Sequence, residues 1–202
     1  MDNQSGTILV RKYSEDPNRY WPLIERFRLQ TFEEGNDSLT YKKYDPEDEN
    51  IETWLSFKND QLISISAAER SHYTNDPDKV VRVCRYHILK EHRFTHCGLI
   101  MGEHQIKWAR ENNFEILYIT HDITKRAINN LYQRRKRMIV SSFDQHTKGE
   151  WYNSLQLEKD FLFKTGKMLQ YVYSIRLQNP NYVWKPKSKY IVERKHDGKI
   201  FE

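Results

Sequence analysis

The sequence predicts an α/β protein: a mixed sheet with helices on both faces. Two observations lead there. Residues 51–67 alternate at strand period around Lys58-Asn59-Asp60, which is turn chemistry and makes a hairpin of neighbouring strands. From residue 80 onward, strand-like runs alternate with amphipathic helical patterns, the order of βαβ units. With 202 residues, 38% hydrophobic and 30% charged, the chain reads as one ordinary domain over 1–178 that buries a real core, followed by a tail. Aromatic residues at 13% argue against disorder.

Taken in order, residues 7–12 (Thr-Ile-Leu-Val-Arg-Lys) read as a first strand. Ser14 offers an N-cap, with acids and Pro17 in the first turn of a helix over 15–32. Tyr20, Ile24, Phe27 and Thr31/Phe32 form its single apolar stripe, and Pro22 allows the regular helix to begin only there. The acidic stretch 33–52 reads as a loop with a short helix. Ile51, Thr53, Leu55 and Phe57 share one strand face, although Trp54 on the other face is not polar. A further strand covers 80–89, after the Asn75-Asp76-Pro77-Asp78 loop. A helix over 99–112 sets Leu99, Gly102, Ile106 and Ala109 on one face. A buried-looking strand over 115–120 precedes a helix over 125–137 with Ile128, Leu131 and Tyr132 near one face. Phe161-Leu162-Phe163, a Thr165-Gly166-Lys167 turn and a strand over 168–177 close the domain. Residues 179–202, with Pro180, Pro186 and high charge, read as a basic, extended C-terminal arm.

Charge and cysteine usage narrow the classes. The balance of 33 basic against 28 acidic residues gives +5, concentrated in Gln133-Arg134-Arg135-Lys136-Arg137 and in the end of the chain. Such runs suit nucleic acid, an acidic membrane or a polyphosphate cofactor, and equally a solvated helix end. No apolar run approaches the ~20 residues of a membrane span, and residues 1–6 lack a signal-peptide pattern. Cys84 and Cys97 form neither a disulfide framework nor a zinc site, so no metal is expected and the reducing cytoplasm is the default location.

The chemistry points to the junction between the 80–89 strand and the 99–112 helix. There, Arg93-x-x-His96-x-Gly98 sets a basic and a small residue beside backbone amides that helix geometry leaves without partners, which makes an anion site. His121-Asp122 looks like a metal pair or catalytic dyad, but adjacent strand residues point apart, and a helix N-cap region is the plainer reading.

This junction resembles the pyrophosphate-binding turn of the GNAT superfamily of acyl-CoA N-acyltransferases, Arg/Gln-x-x-Gly-x-Gly/Ala, with His96 standing at its first Gly. The element order, the opening Ile8-Leu9-Val10-Arg11-Lys12, the strand end Ile88-Leu89-Lys90-Glu91-His92-Arg93 and Asn130-Leu131-Tyr132 are similar to the family in sequence order over roughly residues 7–178. The resemblance implies a GNAT-like central sheet, mixed, mostly antiparallel and twisted. It implies acyl transfer, acetyl from acetyl-CoA or another acyl-CoA, to a small-molecule or peptide amine, in a protein that can be a homodimer. Backbone groups of Tyr86, His87 and Ile88 would pair with pantetheine. The diphosphate would lie on the amides of Phe94, Thr95, His96, Cys97, Gly98 and Leu99, with Arg93 adding charge and Gly98 letting the backbone come close. Tyr132 would be the general acid, and His87 or Glu69 the base. Arg28-x-x-x-Phe32, Tyr44-Asp45-x-x-Asp48 and Val83-Cys84-Arg85-Tyr86 are also similar to signatures of the acyl-homoserine-lactone synthases, which share the fold. A non-catalytic module of this fold and a basic nucleic-acid-binding protein remain alternatives.

Overall fold

A computed structural model describes residues 7–33, 51–93, 96–125 and 150–193. The expected helix over 125–137, with Tyr132 and the 133–137 basic run, lies outside the described residues beyond Lys125. Most of the 33–52 stretch, including Tyr44, Asp45 and Asp48, also lies outside, as do Phe94 and Thr95.

The chain divides into two compact units, residues 1–69 with 83–105, and residues 70–82 with 106–202. The strands β1 (Leu9–Lys12), β2 (Ile51–Lys58), β3 (Gln61–Arg70) and β4 (Val80–Ile88), which fall in the first unit up to Glu69 and from Val83, follow one another in sheet order, and β1–β2 and β2–β3 pair antiparallel. The β2–β3 turn is local chemistry. Asn59 and Asp60 both take positive φ (+50° and +61°), the backbone that tight hairpins require and that Asn and Asp tolerate.

Helix α1 (Pro17–Glu33) buries Tyr20, Ile24, Phe27 and Thr31, while Phe32 is 59% exposed. Its cap is Asp16 rather than the expected Ser14: Asp16 Oδ1 accepts from the Arg19 amide at 3.2 Å, and Ser14 donates to Glu52 instead. The helix also runs straight through Pro22. The missing bond would have gone to the Asn18 carbonyl, on an exposed residue near the helix start where water can replace it. Tyr20, Ile24 and Phe27 pack with Leu55, Leu62 and Ile65 on one face of the β2–β3 hairpin.

The other face is polar and small. Ser66 accepts from Gln105 Nε2 at 2.7 Å, Ser64 lies 3.8 Å from Met101 Sδ, and the Cys97 thiol meets Ser56 and Ser64. These partners belong to α2 (Cys97–Glu111), which begins two residues before the expected Leu99. With helices on both faces, the centre of β2 has no solvent side, so Trp54, paired across from Ser66, is fully buried.

In the second unit, β8 (Met168–Arg176) pairs antiparallel with β5 (Ile116–Asp122), with the short β6 (Gln156–Leu157) and with β7 (Phe161–Thr165). A short helix α3 (Glu150–Ser154) precedes β6, and the Arg110 guanidinium forms an ion pair with Glu150. The β5 strand runs on through His121 and Asp122, and Asp122 Oδ1 accepts from the Thr124 amide at 2.8 Å in a local turn; the helix this pair was expected to precede lies outside the described residues.

The expected extended arm is folded over 179–193. β9 (Ile191–Glu193) pairs with β7, Pro186 bridges Thr74, and the Tyr182 hydroxyl donates to Asp76 at 3.0 Å. Trp184 enters a core with Val80, Ile116, Tyr118, Phe163 and Val172. Prolines and charge suggested an extended arm, but Trp184 is buried in this core and Tyr182 and Ile191 pack against it, which ties the segment down.

Candidate functional site

The candidate junction lies within the first unit. Strand β4 carries one irregularity, Arg85, whose φ of +51° is a left-handed conformation without glycine. Two backbone bonds along β3 and β4, from the Leu89 amide to Ile63 and from the Ser71 amide to Val80, differ in register by one residue. That is a β-bulge, and Arg85 is its extra residue. A bulge bends its strand and releases backbone groups from the ladder, directly before Tyr86-His87-Ile88.

After β4, the buried Leu89 anchors the chain, and a single 3₁₀ turn over Lys90–His92 leads to Arg93. The Arg93 side chain is exposed and folds back, Nε donating to the Ile88 carbonyl at 3.2 Å. The His96 carbonyl accepts from the Ile100 amide at 3.0 Å, which makes His96 the N-cap of α2 and Cys97, Gly98 and Leu99 its first turn. This turn is buried while His96 is exposed. The structure thus brings Arg93 and the α2 N-terminus to the end of β4, as the sequence spacing anticipated.

The individual side chains take unanticipated roles. Gly98 is helical, and the space where its Cβ would stand is taken by the Tyr86 hydroxyl, with Ile88 Cδ1 at 3.5 Å. The missing side chain of Gly98 therefore makes room for the Tyr86 hydroxyl. Cys97 is fully buried, and that burial is the chief cause that raises its thiol pKa and disfavours the thiolate. His87 is 4% exposed, its ring edge-on to Phe27 of α1 at 5.8 Å. Glu69 is half-buried near the end of β3, opposite Ile51. Among the described residues, no cluster of His, Cys, Asp or Glu could hold a metal, and no helix is long and apolar enough to cross a membrane. The contact of the Tyr86 hydroxyl with α2 has no signal in the sequence, and nothing in Cys84-Arg85-Tyr86 announces a bulge.

The Tyr86–Gly98 contact yields a first prediction. Gly98→Ala is expected to destabilise the protein by about 1–3 kcal/mol, the usual cost of overpacking. In a Tyr86→Phe background the nearest ring atom, Cζ, stands 3.5 Å away. There the same change becomes neutral, or stabilising by up to about 1 kcal/mol through helix propensity. Urea denaturation of the four proteins measures the coupling, and additive effects would mean that the tyrosine simply swings clear.

No family model matches the sequence, and no curated protein matches it. Solved structures do. A protein from Acinetobacter baylyi ADP1, provisionally named an acetyltransferase, superposes with a TM-score of 0.58 at 15% identity, covering 90% of this chain and 98% of its own. An acetyltransferase of the GNAT family from Staphylococcus aureus Mu50 gives 0.54 at 13% identity, over 85% of this chain and all of its own (100%). A protein from Klebsiella pneumoniae subsp. pneumoniae MGH 78578, provisionally named an acyl-CoA N-acyltransferase, gives 0.53 at 15% identity, covering 85% and 98%. At such identities the likeness is one of fold. The chain has the GNAT fold, a mixed α/β arrangement with a mostly antiparallel sheet and helices.

Proposed function

We propose that this protein is an acyl-CoA-dependent N-acyltransferase that moves an acetyl group from acetyl-CoA to a primary amine by direct attack within a ternary complex. One observation carries the reading: in a GNAT fold, a bulged β4 leads through a single 3₁₀ turn to Arg93 and the α2 N-terminus. Amides of the first turn and the helix dipole attract phosphate, and Arg93 adds a cation. The bulge at Arg85 bends the strand that would pair with pantetheine through Tyr86, His87 and Ile88. Phe94 and Thr95 complete the proposed phosphate turn on the strength of the sequence pattern.

In the reaction, the amine nitrogen attacks the thioester carbon, the C–S bond breaks, and the thiolate takes a proton. Tyr132 is the proposed donor of that proton, on the family resemblance. Of the two candidate bases, Glu69 is the better supported, because its side chain is partly exposed while His87 is packed against Phe27. The proposed acceptor is a small-molecule or peptide amine, and the proposed enzyme is cytoplasmic and able to form a homodimer.

A second reading, a GNAT-like module that does not turn over, draws on His96 at the first glycine of the motif and on the Tyr86 hydroxyl seated over Gly98. Calorimetry separates the cases. CoA is expected to bind well and unphosphorylated pantetheine far more weakly; equal binding, or none, rejects the phosphate cradle. Mass spectrometry of acetyl-CoA consumption against an amine panel then distinguishes an enzyme from a binding module.

A further inference from the structure

Three chain segments far apart in sequence close an open cavity of about 390 Å³ within the second unit. His72 and Tyr73, from the β3–β4 connection, supply one wall. Lys164 and the β7–β8 turn supply a second, and Lys189 with Tyr190, just before β9, supply the third. We propose that this cavity binds a small organic anion carrying a planar ring, its charge held by Lys164 and Lys189 and its ring against the wall formed by the packed rings of His72, Tyr73 and Tyr190. The proposal does not depend on the acyltransferase reading.

The walls are held in place before any ligand arrives. The Lys187 amide donates to the Tyr73 carbonyl at 2.8 Å, and Lys187 Nζ donates to the His72 carbonyl at 3.0 Å. The Asn75 amide and the Thr74 hydroxyl both donate to the Lys185 carbonyl, at 2.9 and 3.1 Å. Tyr73 and Tyr190 meet at 78° with centroids 4.8 Å apart, forming an aromatic corner, and Tyr73 rests on Phe163 of the core at 5.4 Å. Such a fixed corner loses little entropy on binding a ring.

The electrostatics select an anion. No carboxylate lines the cavity. Neither Lys164 nor Lys189 forms an ion pair with a described residue; Lys189 Nζ sits over the Tyr190 ring at 4.8 Å. Behind Tyr73, the Arg82 guanidinium lies 5.2 Å from the ring and adds a third positive charge. At the rim, Gly166 has a φ of +60° and open space where a Cβ would stand, so the entrance carries no side chain there. A volume near 390 Å³ matches a small molecule.

Phenyl phosphate is the probe, titrated calorimetrically at low salt into the full chain, with benzoate, inorganic phosphate and phenol in parallel. Saturable binding of phenyl phosphate or benzoate, at least about ten-fold tighter than inorganic phosphate or phenol, is expected. The tighter of the two identifies the head group. The double variant Lys164→Ala/Lys189→Ala should weaken that binding about ten-fold or more with an unchanged melting temperature. Binding of inorganic phosphate as tight as that of phenyl phosphate would reduce the cavity to a bare patch of charge. Full affinity in the double variant, or no binding of either aromatic anion, overturns the proposal.

Discussion

Trp184→Ala is expected to remove about 3–5 kcal/mol of stability, the range for deleting a large aromatic from a packed core. The indole is 7% exposed and lies within 4.6 Å of Tyr118 and 5.6 Å of both Phe161 and Phe163, centroid to centroid. These neighbours come from β5 and β7, so the loss opens a hole among strands that cannot collapse without breaking their pairing. Trp184→Phe should cost under about 1.5 kcal/mol. It keeps most of the ring, and it deletes a buried indole N–H that has no hydrogen-bond partner among the described residues. Chemical denaturation of both variants measures the difference. An alanine variant within about 0.5 kcal/mol of wild type, as for a surface position, would return residues 179–193 to the status of a loose arm.

Tyr132→Phe is expected to lower turnover by roughly 10²–10⁴-fold, the contribution of a positioned general acid, with CoA affinity nearly unchanged. The split matters, because a structural tyrosine would move binding and stability together whereas a proton donor moves only the chemical step. Single-turnover kinetics with a reactive acceptor, alongside CoA calorimetry, separates the two. Unchanged turnover would leave thiolate protonation to water and remove Tyr132 from the mechanism.

Local chemistry was legible wherever it was strong. The β2–β3 hairpin followed from alternating residues around Asn59-Asp60, whose side chains tolerate the positive φ that the turn takes. The stripe Tyr20, Ile24, Phe27 and Thr31 in α1 followed from helical period alone. The Arg93–Gly98 junction followed from a strand, a polar turn and a helix in succession. Element order carried the fold class for the same reason, since short connections leave few ways to cover both faces of a hairpin.

What stayed hidden depended on partners distant in sequence. Trp54 was an anomaly on an apparently outward face until a helix with a polar underside covered it. Arg85 adopts a glycine-like backbone that its sequence neighbours do not announce, at the one-residue mismatch of register along β3 and β4. The contact between Gly98 and Tyr86 could not be read from the sequence, because which atom fills the space over a glycine is set by a strand twelve residues earlier. The cationic cavity is the extreme case, assembled from three segments whose members look like ordinary solvated lysines and tyrosines in the linear chain. Periodicity and turn chemistry act over a few residues and so are written in the sequence. Burial, close approach and the convergence of charge act through space, and only the folded chain brings their participants together.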